Sequence, residues 1–326
     1  MKHSQRTPRL LLAAVVIASL AGAFSLTATA QENYPSRPIR IVVPFSAGGQ
    51  LDVVVRQMAK EVQTLSGQPV IVDNKPGALG QIGMQSLLGT SKDGHDLIAM
   101  PLSFVVIAPQ LGASRIDPMT AFKPVCQYGQ TQLLLFVSNQ FKAQTFREFV
   151  ELAKAKPGAL NYASTGMGSQ IHLTSEMLQR QLGIKLTHVP YKGATDSLPD
   201  ILSGRIEVML DPTLLPLARQ EKVRLLATLG PKPVPGFPNV PTAAQLGLEP
   251  AIAWFGLFAP AEVPAAVVER ASALCEKVAN TKAVVDLMAT FLIWPSYATP
   301  KVFAETIQRD HKAFGEIIRT NNIKSE

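Results

Sequence analysis

The apolar positions of this chain change period several times, and each change marks an element. Ile39, Ile41, Val42 and Val43 form a short run suited to a strand buried on both faces. Pro44, which has no N–H to give a ladder, ends it. Phe45-Ser46-Ala47-Gly48-Gly49 then turns the chain with little side-chain bulk. Val54, Met58, Val62 and Leu65 follow at steps of four, four and three, which predicts a helix. The pattern continues through Gly67, a strand over Pro69–Val72 and the turn Asp73–Gly77. Gly77, Gly80 and Gly83 lead into a helix near Met84–Leu88, and Asp93-Gly94 turns into a strand over Asp96–Met100.

The same order returns downstream. A strand over Leu160–Ala163 runs into the small-residue loop Ser164-Thr165-Gly166-Met167-Gly168-Ser169. Ile171, Thr174, Leu178 and Leu182 then form one helical stripe. Gly183, a strand over Lys185–Val189, the turn Pro190–Gly193, a helix near Ser197–Leu202 and a strand over Ile206–Leu210 complete the set. Gly67 and Gly183 are 116 positions apart, as are Gly77 and Gly193, and Gly48 and Gly166 are 118 apart. The chain therefore carries a weak repeat of one βαβαβ half.

Between the halves, Cys126–Ser138 reads as one strand or two. Val223–Leu229 and Ile252–Ala259 read as strands on either side of the stiff, proline-rich loop Pro231–Pro241. The tail reads as helical: Pro264 to about Val278, Lys282–Met288, and a last helix capped by Thr299-Pro300. Phe303, Ile307, Phe314 and Ile318 give that last helix an apolar stripe for packing against the first lobe. Alternating strands and helices predict a parallel-rich α/β protein.

Composition changes this picture at the N-terminus. Lys2, Arg6 and Arg9 precede the apolar run Leu10–Leu20, and Ala28-Thr29-Ala30 has the small-x-small form that signal peptidase cuts. Residues 1–30 are expected to be a signal peptide and the mature chain an exported, soluble protein of 296 residues, a length at which cores divide in two. Losing the leader lowers the net charge from +7 to +4. Without a Lys/Arg run interleaved with aromatics, nucleic acid is not an expected partner. Cys126 and Cys275, the only cysteines, face an oxidising compartment; a disulfide and two separately buried thiols both remain open.

There is no HExxH, no cysteine pair at zinc spacing, no P-loop lysine, and no G-x-S-x-G around Ser164, where Tyr162 holds the first position. Neither glycine cluster has dinucleotide spacing. What remains is two glycine loops at strand–helix junctions, one per half, whose backbone amides and helix ends could approach one small anion from two sides. Ser46, Ser164, Thr165 and Ser169 add hydroxyls without adding charge. Asp52 is expected first to cap its helix. His172 lies in a first helical turn, where it could serve a ligand or a backbone carbonyl. Tyr191 and Lys192 occupy a turn, Asp211 precedes Pro212 at a strand end, and Trp254 reads as core.

Five stretches in this order carry a resemblance: YPSRPIRIVVPFSAGG, NKPGALGQIG, YASTGMGSQIHLTSE, VPYKGA and WFGLFAPAEVP. Together they resemble the Bug (TctC-like) extracytoplasmic solute receptors, the periplasmic binding proteins of tripartite tricarboxylate transporters, over essentially the whole mature chain. The resemblance implies a two-lobed periplasmic-binding-protein fold of type II, closing on a small carboxylate held by loop amides, hydroxyls and waters. Mapped by motif, the first-lobe contacts are Phe45, Ser46, Ala47, Gly48 and Gly49. The second-lobe contacts are Ser164, Thr165, Gly166, Gly168, Ser169 and His172, joined by Tyr191, Lys192 and Asp211. Where the family usually reads GGGTD, this chain has Gln50 and Leu51, which place an apolar residue beside the expected site. Met167 could narrow or grease it.

The expected lobes are 31–130 with 252–326, and 131–251. The expected partners are a di- or tricarboxylate, an acidic amino acid or an aromatic acid, and integral membrane permease subunits. The receptor is expected to be monomeric, without catalysis, metal or cofactor. A membrane signalling partner in place of the permease, or a periplasmic hydrolase using Ser164 or Ser46, are the alternatives.

Overall fold

The computed structural model describes residues 34–112, 114–191 and 194–323. The expected signal peptide lies outside the described residues, as does Lys192. Among the described residues no helix is long and apolar enough to cross a membrane.

Two mixed sheets organise the chain. The first has strand order β11-β4-β10-β3-β1-β2 and the second β7-β6-β8-β5-β9. In the first, β1 (Ile39–Val43) runs parallel to β2 (Val70–Asn74) and β3 (Asp96–Pro101). β4 (Phe122–Gln132), β10 (Ile252–Pro260) and β11 (Ile293–Ala298) join antiparallel. In the second, β6 (Asn161–Ser164) runs parallel to β7 (Thr187–Pro190) and β8 (Val208–Leu210). β5 (Leu134–Ser138) is antiparallel to β8 and to β9 (Val223–Thr228). The parallel trios β1–β2–β3 and β6–β7–β8 are the two halves of the repeat.

Helices cover both faces of each sheet, which is why the strands read as unbroken apolar runs. α1 (Gln50–Ser66) turns Val54, Val55, Met58 and Val62 into one core layer of the first sheet. α2 (Phe146–Ala155), capped by Thr145 Oγ1, and α3 (Gln170–Leu182), capped by Ser169 Oγ, cover the second. α4 (Ala194–Ser203) covers the opposite face of the second sheet, where its Ile201 packs with Phe136 of β5 and Met209 of β8. From the tail, α5 (Ala265–Ala279) and α6 (Lys282–Thr290) join the α1 layer, and α7 (Pro300–Thr320) covers the opposite face of the first sheet.

The chain passes between sheets twice, side by side. β4 runs into β5 at Leu133, and β10 starts after Ala251, whose carbonyl accepts from Leu133 N–H at 3.4 Å. α3 straddles this crossing. Its Ile171 and Leu178 join the second-sheet core, while Leu173 belongs to the core of the first.

Four sequence expectations change. The tail is not wholly helical, because β11 adds an edge strand beside β4. Its Pro295 would exclude it from a sheet interior and suits an edge. α2 and the helical turns Ser103–Ile107 and Ala108–Gln110 have no counterpart in the periodicity reading. Leu51 does not sit beside the site: it is buried in the core under α1. Cys126 on β4 and Cys275 on α5, both buried, are joined as a disulfide with Cα atoms 6.6 Å apart, so the two-thiol alternative is ruled out.

Candidate functional site

A cavity of about 590 Å³ lies between the sheets. One wall comes from β3 and the helical turns after it, including Ser103, Phe104, Ile107 and Leu111. The back is the crossing pair, through Thr131 and Leu133 on one strand and Ala253 and Phe255 on the other. The facing wall is the loop into α3 together with Asp211 and Thr213.

Each glycine loop has its own internal wiring. In the first, Gly48 takes φ +84°, and its N–H donates to Asp52 Oδ2 at 2.8 Å. Asp52 also accepts from Arg56 Nε at 3.0 Å and from Asn74 Nδ2 at 2.9 Å. Burial alone would raise this carboxyl; the bonds from Arg56, Gly48 and Asn74 outweigh it and hold it below its usual value. Asp52 therefore stays ionised in the first turn of α1 and satisfies the positive end of that helix itself. The expected capping bond to the helix is not made: Gly49 holds the cap position, and the Asp52 carboxylate accepts from Gly48 N–H in the loop before it.

The second loop is wired differently. Ser169 Oγ accepts from His172 N–H at 3.2 Å, and Gly168 N–H donates to His172 Nδ1 at 2.9 Å. Leu173 N–H is taken by Ser169 O. The other two amides of this turn belong to Gln170 and Ile171, and both residues line the cavity. No acidic side chain occupies the first turn of α3. The dipole of a 13-residue helix thus opens toward the cavity with its charge uncompensated.

Of the fourteen residues singled out in the sequence, Thr165, Gly168, Ser169 and Asp211 line this cavity. Phe45 reaches it indirectly, stacked at 4.8 Å on Phe104. Ser46, Ala47, Gly48 and Gly49 are exposed at its approach, and from that junction Gln50 is the residue that lines it. Gln50 is held there by donating to Phe291 O at 3.1 Å. Met167 lines the cavity, as its place in the loop suggested.

Ser164, Gly166, His172 and Tyr191 support the loop from below. Ser164 is fully buried. Its Oγ accepts from Gly166 N–H at 3.1 Å and lies 2.6 Å from His188 Nε2. His188 stacks on His172 at 4.1 Å and on Tyr162 at 4.9 Å, making a three-ring pillar under the loop. Burial keeps His172 below its usual value; burial, with His172 alongside, lowers His188 to about 4. Both rings are neutral at pH 7, so His172 Nδ1 can accept from Gly168. Tyr191 OH donates to Asp200 Oδ2 at 2.6 Å, which turns it away from a ligand.

Asp211 is the one ionisable residue among the described residues lining the cavity. Its Oδ1 accepts from Thr213 N–H at 2.8 Å and from Thr213 Oγ1 at 2.7 Å. Burial outweighs those bonds and raises its carboxyl. The cavity therefore offers hydroxyls, amides and a helix end, with no lysine or arginine among the described lining residues.

Most of the lining residues missed by the sequence lie in Ser103–Leu111 and in the crossing strands. They carry no loop or motif signal. They line the cavity because of where two sheets bring them.

A family model described as Tripartite tricarboxylate transporter family receptor matches residues 54–323. The protein BugT of Bordetella pertussis is 30% identical over 96% of this chain and 98% of its own. Among solved structures, MatC from Rhodopseudomonas palustris with bound malate is 28% identical at a TM-score of 0.69, covering 87% of this chain and 100% of that one. A second R. palustris protein, solved with adipate, is 25% identical at a TM-score of 0.73, covering 90% and 100%.

Proposed function

The chain belongs to the tripartite tricarboxylate transporter receptor family, and we propose that it captures a small dicarboxylate between its two lobes. That family is one of periplasmic solute-binding receptors rather than enzymes, and its fold is two-lobed. The observation that carries the proposal is the uncompensated N-terminus of α3, which opens beside Thr165 and Ser169 into a cavity without a described lysine or arginine. An anion held by dipole, amides and hydroxyls can be released again, as delivery requires, because no bidentate arginine pair must be broken. The malate and adipate of the two neighbours are small dicarboxylates, which supports the same class here.

In this reading 31–130 with 252–326 form one lobe and 131–251 the other, and they close by rotation at the paired crossing of Leu133 and Ala251. Loaded receptor then delivers its ligand to membrane permease subunits. Residues 1–30 export the chain to the periplasm and are cleaved near Ala30. The receptor works as a monomer.

Ser164 and His188, 2.6 Å apart, are the one feature that favours a hydrolase. A nucleophile must reach its substrate, and Ser164 is fully buried and does not line the cavity. Exposed Ser46 lies on the other loop, away from that imidazole.

The test is a thermal-shift series of succinate, malate, glutarate and adipate on the purified protein. A ligand at a hundred times its Kd stabilises by about 2.7 kcal/mol. If no dicarboxylate raises the melting temperature, the proposal fails, and turnover of a binding acid or its ester would replace it with the hydrolase.

A further inference from the structure

One wall of the cleft is an apolar helical stripe. Phe104, Ile107, Ala108 and Leu111 line the cavity at the spacing that puts four residues on one helical face. On the same side, Gln50 Nε2 donates to Phe291 O, and Thr131 Oγ1 donates to Leu292 O at 3.0 Å. The groups that suit an anion lie opposite, at Thr165, Ser169 and the amides that open α3. A glycine is pressed against each end of the stripe. Gly168 abuts Leu111, and a Cβ on Gly80 would lie 2.5 Å from Phe104 Cδ2.

Leu79 precedes Gly80, and Met167 precedes Gly168. Both apolar residues line the cavity, and both are exposed, Leu79 at 49% and Met167 at 37%. Leu79 is held there under strain. Gly77, Ala78, Leu79 and Gly80 have φ of +120°, +47°, +50° and +84° in succession. The glycines adopt such values freely, whereas a leucine crowds its Cβ against the carbonyl that follows. Strain of this kind persists only where packing enforces it, and it gathers at ligand clamps. Gly80 seated on Phe104 enforces it here. The result is a leucine at the rim of the cleft with half of its surface in water.

We propose that Leu79 is a specificity-determining residue, which with Met167 covers the methylene body of the ligand, so that the cleft selects long, unsubstituted dicarboxylates over succinate and malate. This rests on the reading of the cleft as a dicarboxylate site. One carboxylate lies at the N-terminus of α3, beside Leu111. The body runs along the stripe toward Phe104, about two helical turns or roughly 10 Å away. Phe45, stacked on Phe104, brings exposed Ser46 and Ala47 to that end. Ser103 also lines the cavity there, and the second carboxylate stays hydrated. Succinate is too short to cover the stripe, and the hydroxyl of malate would lie against it without a partner. A longer apolar body takes the stripe, Leu79 and Met167 out of water together.

The experiment is calorimetric titration of the purified protein with succinate, malate, glutarate, adipate, pimelate and suberate. Affinity should rise about fourfold per added methylene from succinate toward suberate, and malate should bind no better than succinate. Leu79→Gly, which takes the same φ without strain, should keep the melting temperature and the affinity for succinate. It should bind suberate about tenfold more weakly. Leu79→Asn, which also tolerates left-handed backbone, should do the same. The inference is overturned if succinate or malate binds as tightly as suberate, or if either variant keeps the wild-type ratio of suberate to succinate affinity. Those outcomes leave the dicarboxylate reading standing. Failure of every one of these acids to bind overturns that reading and the inference together.

Discussion

Leu111 and Gly168 meet across the cleft with no room for a side chain between them. A Cβ placed on Gly168 would lie 2.2 Å from Leu111 Cδ1. Leu111 follows the helical turns after β3, and Gly168 belongs to the loop that opens α3, so the contact joins the two lobes. It places a close apolar approach next to the hydroxyls of Thr165 and Ser169.

Gly168→Ala should therefore fold and bind succinate or adipate about tenfold more weakly by calorimetry. Two effects contribute, since φ of +70° also strains a residue with a Cβ. Leu111→Ala in the same chain separates them. Recovery of affinity assigns the loss to the collision, and no recovery assigns it to the backbone.

Asp211 places a carboxyl in a cavity proposed to hold carboxylates. Removing a like charge at a few ångströms should be worth about 1 kcal/mol, roughly a fivefold tightening. Asp211→Asn should thus bind succinate, which has no hydroxyl, more tightly than wild type. Weaker binding would mean that Asp211 contributes a contact the ligand needs.

The histidine pillar makes stability depend on pH with a definite sign. His188 titrates near 4 in the fold against 6.5 ordinarily, so between those values the unfolded chain binds more protons than the native one. Its contribution is complete above pH 6.5 and is lost as pH falls toward 4. Asp211, raised by burial, acts in the opposite sense, so the comparison must be made against a variant. Urea unfolding of His188→Gln should show a shallower slope across that window than wild type. Parallel slopes would remove His188 as the cause.

The disulfide ties β4 to α5 across 149 positions of sequence. Opening it should cost about 2–4 kcal/mol of unfolding free energy. Denaturant melts with and without dithiothreitol measure this, and the doubly substituted Cys126→Ala, Cys275→Ala chain should match the reduced protein.

Tyr128 is fully buried against Phe255, and its hydroxyl has no hydrogen-bond partner among the described residues. Tyr128→Phe keeps the ring and removes the stranded group. It should raise stability by about 1 kcal/mol, seen as a higher denaturant midpoint. A fall would reveal a partner for that hydroxyl.

The sequence by itself determined what local chemistry controls. Buried-strand runs, glycine loops and helical stripes located both parallel trios, because each signal lies within a few residues of the structure it specifies. The same signals found the loop into α3, and with it Thr165, Gly168 and Ser169. Tertiary structure decided the rest. Leu51 turned to the core because the rotation of α1 over the sheet, not its neighbours in sequence, fixes which side is buried. Ile293–Ala298 became a strand because β4 offered it an edge. His188 came to lie under Ser164 because β6 and β7 pair in register, and Cys126 met Cys275 because α5 packs on β4. The cleft's remaining walls, Leu111, Thr131 and Phe255, have no common pattern along the chain. They come together only when two sheets dock at a two-strand crossing, and contacts between distant elements leave no period in a sequence to read.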